Sequence, residues 1–353
     1  MSGGVALVTG GAGFVGTNLA HRLLLDGHRV RVLDDLSRAG VERNLAWLRE
    51  RHGARVDARI ADVRDRHAVR SALAGVDQVF HLAAQVAVTT SLDDPRADFE
   101  TNLGGTFTLL DELRRLPSPP PLVFTSTNKV YGTLPDLELA RAGERWEPAD
   151  RELRERGLDE SLPLDFCTPY GCSKGGADQY VLDYAKTYGL PAAVFRMSCI
   201  YGPHQHGTED QGWVAHFVLR TLAGAPITLY GDGAQVRDLL WVEDLLEAFL
   251  RVRDRMDTLA GTAFNVGGGP ENAVSLLEVV DLIAELHGER PLLHHLAERT
   301  GDQRYYVADT RRLEAATGWR PTVGVEEGVA ELYAWLRSRG RAAGRAGLGA
   351  AAR

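Results

Sequence analysis

The chain has 353 residues, 44% hydrophobic and 25% charged, with a net charge of −8, a balance ordinary for a soluble globular protein that excludes a mainly disordered chain. At this length one or two domains with a large core are expected. The acidic balance argues against broad nucleic-acid binding, which needs a basic face to neutralise phosphates.

Short β-rich runs at Val5–Thr9, Arg29–Asp34, Arg55–Ala58, Gln78–His81, Leu122–Ser126 and Ala192–Arg196 alternate with helical patterns. The helices are read at Gly13–Leu25, Arg43–Arg51, Arg66–Leu73, Asp98–Leu116 and Tyr170–Tyr188. This alternation predicts repeated βαβ units and an α/β, doubly wound parallel sheet of Rossmann type over residues 1–190. Pro117–Pro121, with four prolines in five residues, ends one helix and delivers the chain to the next strand. Asp136–Glu160, with nine acidic and five basic residues and no clean period, reads as a solvated excursion. After Pro191 the elements shorten, as in the helices Trp213–Ala223 and Ser275–Leu286, which predicts a smaller C-terminal substrate domain over 191–234 and 267–336, with 235–266 returning to the first domain. Residues 337–353, with five arginines and no acid, read as a disordered tail.

Three cysteines, an odd number, argue for a reducing compartment, hence the cytoplasm. Met1–Gly4 enters Val5–Val8 with no charged region before it, so no leader peptide is expected. No run approaches the roughly 18 apolar residues of a membrane span.

The first strand feeds Gly10-Gly11-Ala12-Gly13-Phe14-Val15-Gly16 and then a helix. Gly10 permits a tight turn, Gly13 lets a pyrophosphate approach the backbone, and Gly16 lets helix and strand pack closely, with the phosphate at a helix N-terminus. Asp34 ends the second strand, where a carboxylate would accept the adenosine ribose hydroxyls and repel a 2′-phosphate. That favours NAD over NADP, although Arg38 nearby works the other way; Asp35 and Ser37 complete the turn.

Only three of the 40 basic residues are lysine, Lys129, Lys174 and Lys186. Where a compact ammonium is needed arginine is no substitute, so each lysine is a candidate functional group. Tyr170 and Lys174 stand four residues apart, on one helix face. Lowering a tyrosine pKa by about three units, as a base at neutral pH requires, takes about 4 kcal/mol, which a close ammonium and a positive nicotinamide ring could supply.

The Gly-x-x-Gly-x-x-Gly spacing and the Tyr-x-x-x-Lys pair resemble the extended form of the short-chain dehydrogenase/reductase family. The resemblance implies that Asp62 and Val63 contact adenine, that Leu82, Ala83 and Ala84 line the cofactor at the end of the fourth strand, and that Asn102 is the family's internal asparagine. It also aligns Thr127 with the catalytic Ser/Thr that bonds the reacting sugar oxygen, with Ser126 as the alternative. Family dehydratases carry Asp-Glu after that threonine, and decarboxylases usually a glutamate at the second position. Here Asn128 and Lys129 occupy those places and cannot eliminate water by acid–base work.

Ser126–Gly132, Thr168–Tyr180, Phe195–Gly202 and Asp210–Val214 are similar to a group within that family, the nucleotide-sugar 2-epimerases of the CDP-paratose/CDP-tyvelose type. This implies a redox-neutral inversion at carbon 2 through a transient keto-sugar on tightly held NAD. Tyr170 would take the hydroxyl proton, and Lys174 would also hold the nicotinamide ribose. Arg237 and Arg304 would clamp the diphosphate of the nucleotide-sugar substrate, and Asn128, Lys129, Cys199 and Gln211 would line the sugar. Cys199 stands where 4-epimerases usually place asparagine, and a 4-epimerase is the alternative enzyme. A non-catalytic dinucleotide sensor is the alternative outside enzymes, and such proteins commonly lose the Tyr or Lys. No metal is expected, since His204 and His206 lack a third ligand and the cysteines lack zinc spacing. A homodimer through paired long helices is implied by the resemblance.

Overall fold

A computed structural model of the chain describes residues 3–350. Seven strands form one sheet: β1 (Val5–Thr9), β2 (Arg29–Asp34), β3 (Val56–Ile60), β4 (Gln78–His81), β5 (Leu122–Thr127), β6 (Ala192–Met197) and β7 (Ala263–Val266). All pairings are parallel and the order is β7-β6-β5-β4-β1-β2-β3. The chain reverses direction of travel across the sheet between β1 and β4, which opens a crevice beyond the carboxyl ends of those strands.

Helices cover both faces. Ala6 and Val8 of β1 pack with α1 (Phe14–Leu25) and α2 (Val41–His52), through Leu19, Leu23, Leu45 and Leu48, while Leu7 points the other way. That second face takes α3 (Arg66–Leu73), α4 (Gly105–Leu113) and α5 (Thr168–Tyr188), through Val69, Leu109, Leu113 and Val181. Burial on both sides explains the largely apolar β1 and β6, while β2 and β3, at and next to the sheet edge, carry Arg29, Arg31, Asp57 and Arg59. The helix expected at Asp98–Leu116 is broken into Pro95–Phe99, a π-helical turn at Glu100–Gly104, and α4. Such bulges re-aim side chains at functional sites, and this one carries Asn102.

Of the 235–266 stretch, α6 (Val242–Arg253) packs Leu245 and Phe249 on the first face, and β7 extends the sheet. Val236–Trp241 instead centres a small second sheet, pairing with Cys199–Tyr201, Ala273–Ser275 and Tyr305–Tyr306. A separate core around Tyr201, Phe217, Ile283 and Leu332 joins it to the helices Trp213–Leu222, Leu276–His287 and Val325–Ala350. The helix Leu276–His287 opens on a reciprocal cap between Ser275 and Glu278.

Asp136–Glu160, read as a solvated excursion, is mostly exposed and ordered: a hairpin, Leu139–Ala142 with Arg145–Pro148, and a short helix, Arg151–Arg156. Its polar groups dock it, with Arg145 paired to Glu278, the Trp146 backbone N–H donating to Ala234 O, Glu160 accepting from Asn265 N–H, and Leu158 buried. The stretch from Arg337 to Ala350, read as part of a disordered tail, continues the helix that starts at Val325. The buried stripe Val325, Val329, Leu332, Tyr333 and Leu336 anchors that helix. Residues 351–353 lie outside the described residues. Among those described, no helix is long and apolar enough to cross a membrane.

Candidate active site

The crevice begins at the glycine loop. Gly10 has φ +67°, and a Cβ there would lie 2.7 Å from Ala83 N. A Cβ on Gly16 would meet Gly10 O at 2.2 Å and Gly11 Cα at 2.6 Å, so only glycine lets α1 approach the turn. The helix starts after Gly13 with no side-chain cap, which leaves its first N–H groups for an anion. Phe14 and Val15 are half-buried in the first turn, against the core under the sheet.

Asp34 reaches into this loop from the end of β2. Its Oδ2 accepts from Ala12 N–H at 2.9 Å and its Oδ1 from Leu36 N–H at 2.9 Å. Burial pushes its carboxyl up, and these backbone bonds pull it back. Asp35 accepts from Ser37 in an exposed turn, and Asp62 is held by Arg64. Val63 packs against Gly105, where a Cβ would clash at 2.6 Å. Leu82 and Ala83 donate their N–H groups to Thr9 Oγ1, and half-buried Ala84 follows. Asn102 accepts from Gln85 N–H and donates to Asp98 Oδ1 and Ser173 Oγ. A cradle that a single methyl would fill, an uncapped helix start and a carboxylate beside them fit a dinucleotide.

Thr127 ends β5, and Tyr170 and Lys174 sit in the first two turns of α5. Thr127 Oγ1 donates to Asn128 Oδ1 at 3.3 Å and accepts from Lys129 N–H at 3.2 Å, whereas the buried Ser126 hydroxyl has no partner. Burial pushes the Tyr170 phenol up to about 12, with the nearby Thr127 hydroxyl lowering it and the Asp98 carboxylate adding to the rise. Lys174 Nζ donates to Thr125 O at 2.6 Å and lies 4.4 Å from the Phe124 ring centre. Burial brings this ammonium down to about 8, against the pull of Asp178 and Asp98. In the protein alone burial raises the phenol; the expected lowering is that of Lys174 and the nicotinamide ring together. Shared helix face does not put the ammonium on the phenol when a carbonyl at the strand end competes for it.

Beyond Thr127, Asn128 donates to Gln303 Oε1 at 3.3 Å, and Lys129 Nζ donates to Gly301 O at 3.2 Å and Asp302 Oδ1 at 3.4 Å. Arg237 donates to the same Asp302 oxygen at 2.6 Å and to Gln303 O at 2.6 Å. Cys199 accepts from Trp213 Nε1 at 3.5 Å; burial pushes its thiol up, while the charges of Arg237 and Lys129 pull it down. Gln211 accepts from Arg38, which ties the substrate side to the cofactor side. Arg304, expected beside Arg237, is not brought there: it is exposed, paired with Glu298 and set 5.4 Å over the Trp146 ring.

Residues 6–267 match the NAD dependent epimerase/dehydratase family. The chain belongs to that family. A CDP-paratose 2-epimerase from Salmonella typhi is 40% identical over 345 residues, covering 94% of this chain and 99% of its own. A UDP-glucose 4-epimerase from Mycolicibacterium smegmatis is 33% identical over 340 residues, covering 94% and 98%. The UDP-glucose 4-epimerase of Thermus thermophilus, solved in complex with NAD, matches with a TM-score of 0.79 and 34% identity over 94% of this chain and 99% of that one.

This family member is an NAD-dependent enzyme of the epimerase type. The sequence reading gave no role to Asp302, Gln303 or Arg299, which stand beside the predicted residues. Arg299 faces Glu209 and Asp210 beside Gln211 and lies 3.6 Å from the Tyr230 ring centre. The signal available was that Arg299 precedes Thr300-Gly301-Asp302-Gln303, a turn in which Gly301 has φ +76°. Only the packing of that turn over Lys129 and Arg237 shows its relevance.

Proposed function

We propose that the enzyme inverts carbon 2 of a CDP-hexose of the paratose/tyvelose type, through a transient keto-sugar. The observation that carries this reading is the pair that follows Thr127. Asn128 and Lys129 are engaged by Gln303 and Asp302, and no carboxylic acid stands in their place to expel water. The 40% identity to a CDP-paratose 2-epimerase supports the choice of carbon.

In this reading Thr127 bonds the reacting oxygen and Tyr170 holds the proton removed from it. Bound NAD supplies a hydride acceptor that is also the donor on return. Starting from about 12, the phenol must fall by about five units to act near neutrality, or about 7 kcal/mol. Lys174 supplies part of this by leaving Thr125 O for the cofactor and phenol side. Arg237 clamps the diphosphate; Cys199 and Gln211 form the sugar wall.

The alternative is inversion at carbon 4, favoured by the 33% and 34% identities to UDP-glucose 4-epimerases. Incubation with hexoses deuterated at carbon 2 or carbon 4, followed by mass analysis of NAD released from quenched enzyme, separates the two. Label from carbon 2 alone is expected; label from carbon 4 alone would replace this reading by the alternative. Tyr170→Phe with unchanged turnover would exclude both.

A homodimer through α4 and α5 belongs to the same reading. Phe107, Tyr180 and Tyr188 are exposed on those helices, and Phe99 stands just before them. Such a contiguous apolar patch is a usual mark of an interface. All three cysteines are free, which supports the cytoplasm as the location.

A further inference from the structure

Among the described residues four other than glycine hold a positive φ, Leu36, Leu134, Thr168 and His204, and of these only Thr168 is β-branched. Its φ is +66°. A side chain with a branched Cβ is crowded in this region, and Pro169, next in the chain, restricts the residue further. Such a conformation persists only where its surroundings impose it. Thr168 opens α5, two residues before Tyr170. Glycine or asparagine would adopt this φ at less cost; what threonine adds is a methyl and a hydroxyl, and both are engaged.

The methyl lies over Gly301. A Cβ built on that glycine would fall 2.5 Å from Thr168 Cγ2, with the next atom, Cys167 Sγ, at 3.9 Å. Gly301 itself has φ +76°, and its carbonyl accepts from Lys129 Nζ at 3.2 Å. The turn that takes the Lys129 ammonium and, through Asp302, the Arg237 guanidinium therefore rests on the threonine methyl. On the other side Thr168 Oγ1 accepts from Gly171 N–H at 3.4 Å, and Gly171 packs against the Lys129 backbone, where a Cβ would lie 3.2 Å from Lys129 O. No side chain caps α5 from Cys167. The Tyr170 N–H, which a bare helix start would leave open, is held instead by Ser91 Oγ at 3.2 Å.

We infer that Thr168 is a positioning residue: clamped in a strained conformation between the Gly301 turn and the first turn of α5, it fixes where Tyr170 presents its phenol and ties that place to the turn that Lys129 and Arg237 engage. The inference rests on the reading of Tyr170 as the proton-holding group, but not on which sugar or carbon is involved.

Thr168→Gly removes the methyl, the hydroxyl and the strain together. In full-length, NAD-loaded protein grown with ring ¹³C-labelled tyrosine, ten tyrosines give signals, and Tyr170→Phe identifies that of Tyr170. The Tyr170 signal is expected to shift or broaden in Thr168→Gly, with Tyr180, Tyr184 and Tyr188 further along α5 unmoved. For the nucleotide sugar that wild type turns over, kcat is expected to fall at least about tenfold with KM changed less than about threefold, the pattern of a misplaced reacting group. A Tyr170 signal that stays in place, or a loss confined to KM, overturns the inference.

Gly301→Ala and Thr168→Ser, read by the same signal and the same kinetics, test the contact itself and decide if Thr168→Gly does not fold. The alanine methyl would collide with Thr168 Cγ2, whereas serine removes that carbon and leaves 3.9 Å to the next atom. Each single variant is expected to move the Tyr170 signal and lower kcat. The double variant Thr168→Ser/Gly301→Ala transfers the methyl from one side of the contact to the other, and should recover kcat at least about threefold over Gly301→Ala, with the signal returning toward its wild-type place. Additive losses overturn the inference. Should wild type turn over no nucleotide sugar, the proposed function fails; the Tyr170 signal needs no substrate and still decides the role of Thr168.

Discussion

Asp302 places one carboxylate oxygen between two cations, 3.4 Å from Lys129 Nζ and 2.6 Å from Arg237 Nη2. The two cations come from opposite halves of the chain, Lys129 just after β5 and Arg237 from the strand Val236–Trp241. Burial pushes the Lys129 ammonium down and Asp302 holds it up. An anionic substrate group entering here meets a charge balance already set.

Lys129→Met is therefore expected to raise KM for the nucleotide sugar about tenfold, the worth of one charge-assisted hydrogen bond, with kcat changed less than about threefold. Lys129→Arg is expected not to restore it, because the planar guanidinium needs more room and a different geometry. Steady-state kinetics of the three proteins check this, and an unchanged KM in Lys129→Met would remove the residue from the substrate site.

Gly16→Ala is expected to strip the cofactor. Its methyl would lie 2.2 Å from Gly10 O and 2.6 Å from Gly11 Cα, contacts with backbone that cannot swing aside. Helix α1 must then withdraw from the turn that cradles the pyrophosphate. The amount of NAD released on denaturing the purified protein should fall at least about tenfold relative to wild type, while the circular dichroism of the folded sheet is retained.

Glu112 gives a pH dependence of stability. Its side chain is 4% exposed and is bonded by Arg70 and Arg66, which hold its carboxyl down at about 2 against an ordinary 4.5. Since the folded-state value is the lower one, ionised Glu112 stabilises the fold above about pH 4.5, and this is lost as the pH falls toward 2. Allowing for screening of the two exposed arginines, Glu112→Gln should cost about 1–2 kcal/mol at pH 7. Urea unfolding of both proteins from pH 7 to pH 3 should show the gap narrowing; a gap independent of pH would mean that the ion pairs contribute nothing.

What the sequence determined by itself is the local and periodic part. Five of the seven sheet strands start where the β-rich runs predict, because β-branched and apolar residues fit a pleated surface covered by helices. The glycine loop was legible because φ +67° at Gly10 and the tight contact at Gly16 exclude other residues. The Tyr170–Lys174 spacing was legible because a helix has one period.

Tertiary structure alone decided the rest. Arg237 and Arg304 look alike in sequence, yet one is buried against Asp302 and the other lies in solvent over Trp146. Most charges of Asp136–Glu160 do face water, but Arg145 and Glu160 meet Glu278 and Asn265, more than a hundred residues away. Lys174 shares a helix face with Tyr170, but the carbonyl of Thr125, 2.6 Å from its Nζ, sets where its charge acts. Periodicity fixes which way a side chain leaves its own element; what it meets there depends on residues that only the folded chain brings near.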